Sequence, residues 1–153
     1  MKDIDPLVKA VLPDIVTLRH DLHQHPELGY EEYRTARRVL EHLSTNPDLD
    51  LRTGVGETGI VATLGAEKSG PCVALRADMD ALPIEETSDL PYKSQIPGKM
   101  HACGHDGHTS CLVGAAKVLT QCTNDLEGPV KLIFQRKTRR ARFRQLHMTA
   151  LCS

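Results

Sequence analysis

The sequence predicts an α/β domain, and three observations point there. Apolar residues recur at helical spacing through the first part of the chain, short apolar runs bounded by Gly or Pro follow, and a second helical pattern separates the last two of those runs. Helix, helix, strands, helix, strand is the order of a layered α/β fold. The passage from "VALRAD" through a helix to "KLIFQ" predicts a right-handed crossover between parallel strands.

Each element has its own signal. Leu7, Val8, Val11, Leu12, Ile15, Val16 and Leu22 predict helix over about 6–24, with Pro13 either kinking it or opening a second helix at its first position. Ala36, Val39, Leu40 and Leu43 make one face of a helix from Glu31 to about Leu43, ended by "STNPD". "LDLRT", "GIVATLG" and "PCVALRAD" then read as strands. The run from Cys72 to Leu75 is continuously apolar, which predicts a strand buried on both faces. After a loop rich in Pro and acids, a third helix is expected over about Asp106 to Gln121, with Leu112, Ala115, Ala116, Val118 and Leu119 inward, and "PVKLIFQ" follows as a strand.

Composition narrows the function. At 153 residues the chain is long enough for one domain with its own core. With 25% charged residues, 40% hydrophobic and a formal charge of −1, neither nucleic acid nor an anionic membrane is expected as its main partner. No apolar run approaches the roughly 18 residues that span a bilayer. Five cysteines at irregular spacings, and acids in "MKDIDPLVKAVLPDI" where a secretory leader is basic and then apolar, predict a cytoplasmic chain with reduced thiols.

Several motifs carry possible chemistry. "GVGETG", residues 54 to 59, matches the dinucleotide fingerprint G-x-G-x-x-G, but it runs into the β pattern "GIVATLG" instead of opening a helix, so a tight turn between strands is expected. "HDLHQH" sets His20 and His23 at i, i+3 on one helix face, able to share a metal, though surface or capping histidines are the default. "RADMDALP" places Asp78 and Asp80 where a strand leaves the sheet, the end at which open α/β sheets bind ligands; turn capping and a metal site stay equally open.

Met100 to His108, "MHACGHDGH", packs three histidines, a cysteine and an aspartate into one short stretch. Cys103 lies where the third helix begins, and the positive end of a helix favours a thiolate. One glycine separates it from His105, and Gly104 and Gly107 permit unusual backbone angles. A thiolate with an imidazole suits Zn²⁺ or another borderline divalent ion. Helix capping with buried histidines is the second reading, and a nucleophilic cysteine the third, since a nucleophile needs an oriented base.

Taken in order, "RHDLHQHPELGYEE", "GVGETGIVATL", "VALRADMDALPIEE", "MHACGHDGHTSCLVGAAKVL" and "GPVKLIFQ" resemble the N-terminal part of the metal-dependent amidohydrolases, the aminoacylase and carboxypeptidase family that includes hippurate hydrolase and the N-acyl- and indole-acetyl-amino-acid hydrolases. The resemblance covers about residues 13 to 135. It implies a partial zinc-peptidase-like catalytic domain, a mixed sheet flanked by helices, and hydrolysis of N-acyl amino acids to a carboxylic acid and an amino acid. It also implies a divalent metal cofactor, Zn or Mn with Co or Ni as alternatives, two ions in a complete site, and a homodimer built through a domain that this sequence lacks. Cys103 and His105 would be metal ligands and Asp80 the catalytic-site aspartate that orients or supports the metal; His101, Asp106 and His108 would flank them, and the segment holding His20, His23 and "HPE" would be structural.

One departure qualifies this. In the family the strand matching "KLIFQ" leads into "PAEE", whose glutamates supply the base and a metal ligand, whereas here Gln135 is followed by "RKTRRARFRQLHMTALCS". That tail holds six of the 19 basic residues and none of the 20 acids, so positions 1 to 135 carry 13 basic and 20 acidic groups, a charge of −7. The expectation is a truncated domain over 1–135 with an aberrant, disordered basic tail over 136–153, as a shifted frame or altered splice would give, that retains metal weakly and is inactive alone. The alternatives are a non-catalytic metal-binding or partner-pairing module, or a genuine basic tail that meets an acidic partner.

Overall fold

The computed structural model describes residues 3–137, and the expectation for the tail beyond Lys137 lies outside the described residues. Two helices open the fold, α1 (Asp5–Gln24) and α2 (Tyr33–Leu43), followed by strands β1 (Leu49–Val55), β2 (Gly59–Leu64) and β3 (Val73–Asp78). Helix α3 (His105–Leu119), a 3₁₀ turn (Thr120–Asp125) and strand β4 (Val130–Gln135) complete it. Pro13 lies inside α1 without splitting it. Where a proline removes one backbone donor, the helix here is held by its buried residues Ile15, Leu18 and Leu22.

The sheet runs β1-β2-β4-β3. β1 and β2 form an antiparallel hairpin, and "GVGETG" is its turn, with Gly54, Gly56 and Glu57 all at positive φ. Gly59 must be glycine because a Cβ there would lie 2.4 Å from the carbonyl oxygen of Val55. β2 pairs antiparallel with β4, and β4 pairs parallel with β3 in the register Asp78↔Gln135. The β3-α3-β4 unit is the crossover that the sequence order predicts.

Burial corrects one expectation. β3 is not the strand buried on both faces: it is an edge of the sheet among the described residues, and Val73 and Leu75 are 51% and 38% exposed. The doubly buried strand is β2, every residue of which is buried. Both runs are apolar, and only their place in the strand order separates them; an unbroken apolar run cannot report which neighbours cover it. Along β4 the burial alternates, with Val130, Leu132 and Phe134 inward. Leu132 and Phe134 join Leu18, Leu22, Val39, Leu43, Val113 and Ala116 in one core. α1 and α3 pack closely where Gly114 meets Ile15, and a Cβ on Gly114 would lie 3.2 Å from the Ile15 side chain. Among the described residues no helix is long and apolar enough to cross a membrane.

Phe134 is 1% exposed and Val73 half exposed, so equal truncations should differ in cost. Phe134→Ala is expected to lower unfolding free energy by about 3–5 kcal/mol and Val73→Ala by less than about 1 kcal/mol. Urea denaturation of the two variants measures this; equal losses would contradict the strand order.

Candidate metal centre and its polar foundation

The crossover brings three segments to one end of the sheet: the exit of β3, the start of α3 and the exit of β4. Gly104 is the N-cap residue of α3 at φ 74, a left-handed conformation that glycine adopts without a Cβ penalty. Gly107, by contrast, lies inside the helix and needs no such freedom. Cys103, just before the cap, is exposed and carries a free thiol. His105, the first helical residue, turns its ring to the loop after β3, where Nδ1 lies 2.8 Å from the backbone carbonyl oxygen of Asp80 and 3.2 Å from its Oδ1. A carbonyl oxygen only accepts, so Nδ1 donates and the neutral ring keeps its lone pair on Nε2. That tautomer, fixed by a carbonyl and a carboxylate behind the ring, is the one metal-binding histidines use.

Asp80 is itself buried, and its second oxygen, Oδ2, lies 3.6 Å from Lys137 Nζ. Its backbone is fixed on the far side, since the amide of Ala81 donates to the carbonyl of Glu27 at 2.7 Å. Asp78 does not join it: its carboxylate accepts from Arg76 at 2.9 Å, and its carbonyl accepts the Thr109 hydroxyl. Of the residues expected at the site, the structure therefore brings together Asp80 and His105, places Cys103 beside them in sequence at the helix cap, and assigns Asp78 to the strand end.

Buried and partly buried carboxylates tie the early helices to this end of the sheet. Glu27 accepts the amides of Arg34 and Thr35 at 3.0 and 2.7 Å, capping two otherwise unpaired donors at the start of α2. Glu32 is fully buried and accepts from the Thr58 hydroxyl and the Lys137 amide. His23 is neither a surface nor a capping residue: its Nδ1 lies 2.8 Å from Asp106 Oδ2 and its Nε2 3.2 Å from Glu86 Oε1. His20 instead stacks on Tyr92 with ring centroids 3.8 Å apart, so the two histidines hold no metal together. Sequence reasoning gave no role to Glu86, the last residue of "VALRADMDALPIEE", and it missed Glu32 and Lys137 as partners.

Two groups here titrate away from their ordinary values. Burial pushes the His101 imidazole down to about 4, against the pull of Asp106, and neither ring nitrogen has a hydrogen-bond partner among the described residues. Burial pushes the Glu86 carboxyl up, but bonds from the Ser88 hydroxyl, the Ser94 amide and His23 outweigh it and hold the group at about 2.

The donor types fit a divalent ion, with a cysteine sulfur, an imidazole of the right tautomer and a carboxylate behind it, but the number of donors is short. Among the described residues no group of three or more His, Cys, Asp or Glu side chains gathers to hold a metal. Cys103 and His105 are a pair where a catalytic zinc takes about three protein ligands.

Residues 74–137 match the family model described as peptidase family M20/M25/M40. The N-acyl-L-amino acid amidohydrolase of Geobacillus stearothermophilus is 43% identical over 134 residues, 88% of this chain and 36% of that protein. IAA-amino acid hydrolase ILR1-like 5 of Arabidopsis thaliana is 48% identical over 121 residues, 79% of this chain and 27% of that protein. Among solved structures, Bacillus subtilis YXEP, a dinuclear metal binding peptidase from the M20 family, matches with TM-score 0.78 at 40% identity, covering 84% of this chain and 36% of that one. The chain spans about a third of the length of the curated relatives it matches.

Since the Glu86 value in the folded chain lies below the ordinary 4.5, the stability it contributes is complete above pH 4.5 and is lost as pH falls toward 2. In a urea series, Glu86→Gln is expected to be less stable than wild type at neutral pH, with the two converging over that window. A gap that stays constant down to about pH 2 would contradict this assignment.

Proposed function

We propose that this chain, whose residues 74–137 match the M20/M25/M40 peptidase model, is part of a member of that family and supplies half of a metal centre for hydrolysing the amide bond of N-acyl amino acids. The observation that carries this reading is His105, whose Nδ1 is committed to Asp80, leaving Nε2 as a lone-pair donor one glycine away from the exposed Cys103 thiol. The relatives' names support the amide and the acyl-amino-acid substrate.

Cys103 and His105 would hold the ion, and the thiolate favours Zn²⁺ over harder ions such as Mn²⁺. The chemistry that a bound divalent ion supplies is Lewis acidity toward a water and an amide carbonyl. Asp80 acts through His105, setting its tautomer and ring orientation, and is a positioning residue. Taking a proton from water and returning it to the departing amine requires a carboxylate with a free oxygen near the ion. Three buried carboxylates around this end of the sheet have both oxygens engaged, Asp80 by His105 and Lys137, Glu86 by His23, Ser88 and Ser94, and Glu32 by Thr58 and the Lys137 amide, while Asp106 is held through Oδ2 by His23 and Arg19 and its Oδ1, unpartnered among the described residues, is buried away from solvent. The isolated chain is therefore proposed to bind metal weakly and not to turn over. A second reading, a partner-pairing module, draws on the β3 edge, where half-exposed Val73 and Leu75 line a strand that has one neighbour among the described residues.

Titration of the purified chain with Co²⁺, followed by its thiolate-to-metal absorption and run beside hydrolysis of hippurate, tests the proposal. Binding is expected in wild type, lost in Cys103→Ala, weakened about 10- to 100-fold in Asp80→Asn, and without hippurate cleavage. Binding indifferent to Cys103 would sink the metal assignment, and hippurate turnover dependent on Cys103 would sink the claim that the base is absent.

A further inference from the structure

The chain leaves β4 through Arg136 and Lys137, and both are seated. The Lys137 amide donates to Glu32 Oε1 at 3.0 Å, and Glu32 is a fully buried carboxylate whose other oxygen accepts from Thr58. The Lys137 stem runs over Gly29, where a Cβ would fall 2.2 Å from its Cδ and 2.5 Å from its Cβ, so this passage requires a glycine. The Arg136 guanidinium lies over the Tyr30 ring at 4.6 Å. With its backbone and stem fixed in this way, Lys137 carries its ammonium to 3.6 Å from Asp80 Oδ2, while His105 takes Oδ1.

We propose that Lys137 is a built-in counter-cation of the candidate metal site, neutralising Asp80 where a divalent ion would otherwise gain from its charge, and so holding down metal capture by Cys103 and His105. The inference rests on the metal reading given above. Two physical effects act in the same direction. The ammonium pairs electrostatically with the carboxylate oxygen that His105 does not take, and its positive charge repels an incoming dication. The Lys137 side chain is 45% exposed, so solvent screens the pair and the effect is modest, about threefold or more in affinity.

The test is the Co²⁺ dissociation constant of the full chain, read by thiolate absorption and by competition with a chelator, for wild type, Lys137→Met, Lys137→Ala, Lys137→Arg and Cys103→Ala. Lys137→Met keeps the stem over Gly29 and removes only the charge, so it guards against misfolding in the alanine variant. Lys137→Met and Lys137→Ala are expected to bind at least about threefold tighter, and Lys137→Arg like wild type. Unchanged or weaker binding in Lys137→Met, with wild-type binding still dependent on Cys103, overturns this inference and leaves the metal reading standing. Absent binding throughout, or binding indifferent to Cys103→Ala, overturns the metal reading and the inference with it. A merely structural lysine would lower the unfolding midpoint in both uncharged variants without tightening metal.

Discussion

Two strands that lie side by side and parallel cannot be joined by a tight turn; the chain must travel back along the sheet before the second can begin. β3 and β4 are such a pair, and α3 makes the return. This constraint sets the geometry of everything at the site. The exits of both strands and the start of the helix must arrive at one end of the sheet, so Asp80, His105 and Lys137 meet although long stretches of chain separate them. The left-handed glycine at position 104 then lets the chain turn into the helix with Cys103 and His105 on either side of the bend.

What holds that junction is polar and buried. The loop between β3 and α3 has little regular hydrogen bonding, apart from single bridges such as Leu82 to Met100. Its backbone is tied instead to the early part of the chain, Ala81 to Glu27 and Gln95 to Gln24, and the side chains of Glu86 in the loop and Asp106 at the start of α3 take opposite sides of the His23 ring. A charge buried without a partner is costly, so these carboxylates form a mutually dependent set. The segment "HPELGYEE", which offers no chemistry at first sight, is the part that fastens the strand exits, with Glu27 holding one and Glu32 the other.

The fold is largely legible in the sequence because periodicity and punctuation are local. Both early helices, the hairpin at "GVGETG", the crossover and the final strand lie where spacing and Gly or Pro place them. The apolar run of β3 misleads because strand order is a long-range property, decided by β4 entering between β2 and β3. At the site, Cys103, His105 and Asp80 are legible as residue types that bind or support metals. The contact between Asp80 and His105 is a product of the crossover, and the roles of His23, Glu86 and Lys137 depend on partners from distant segments that no spacing rule connects.

The position of β4 also bears on how the chain is made. It pairs with β2 from Leu64↔Val130 to Ile60↔Phe134, across the whole of β3, the long loop and α3, and it is the strand that β3 pairs with. On the ribosome, the helices and the first hairpin emerge long before it, with β3 unpaired and one edge of β2 open. Pairing over such separations is slow, and unpaired apolar strands are what chaperones recognise and aggregates recruit. Until β4 has been made, the sheet cannot close, and the edge of β2 and the apolar run of β3 are left without the strand that joins them.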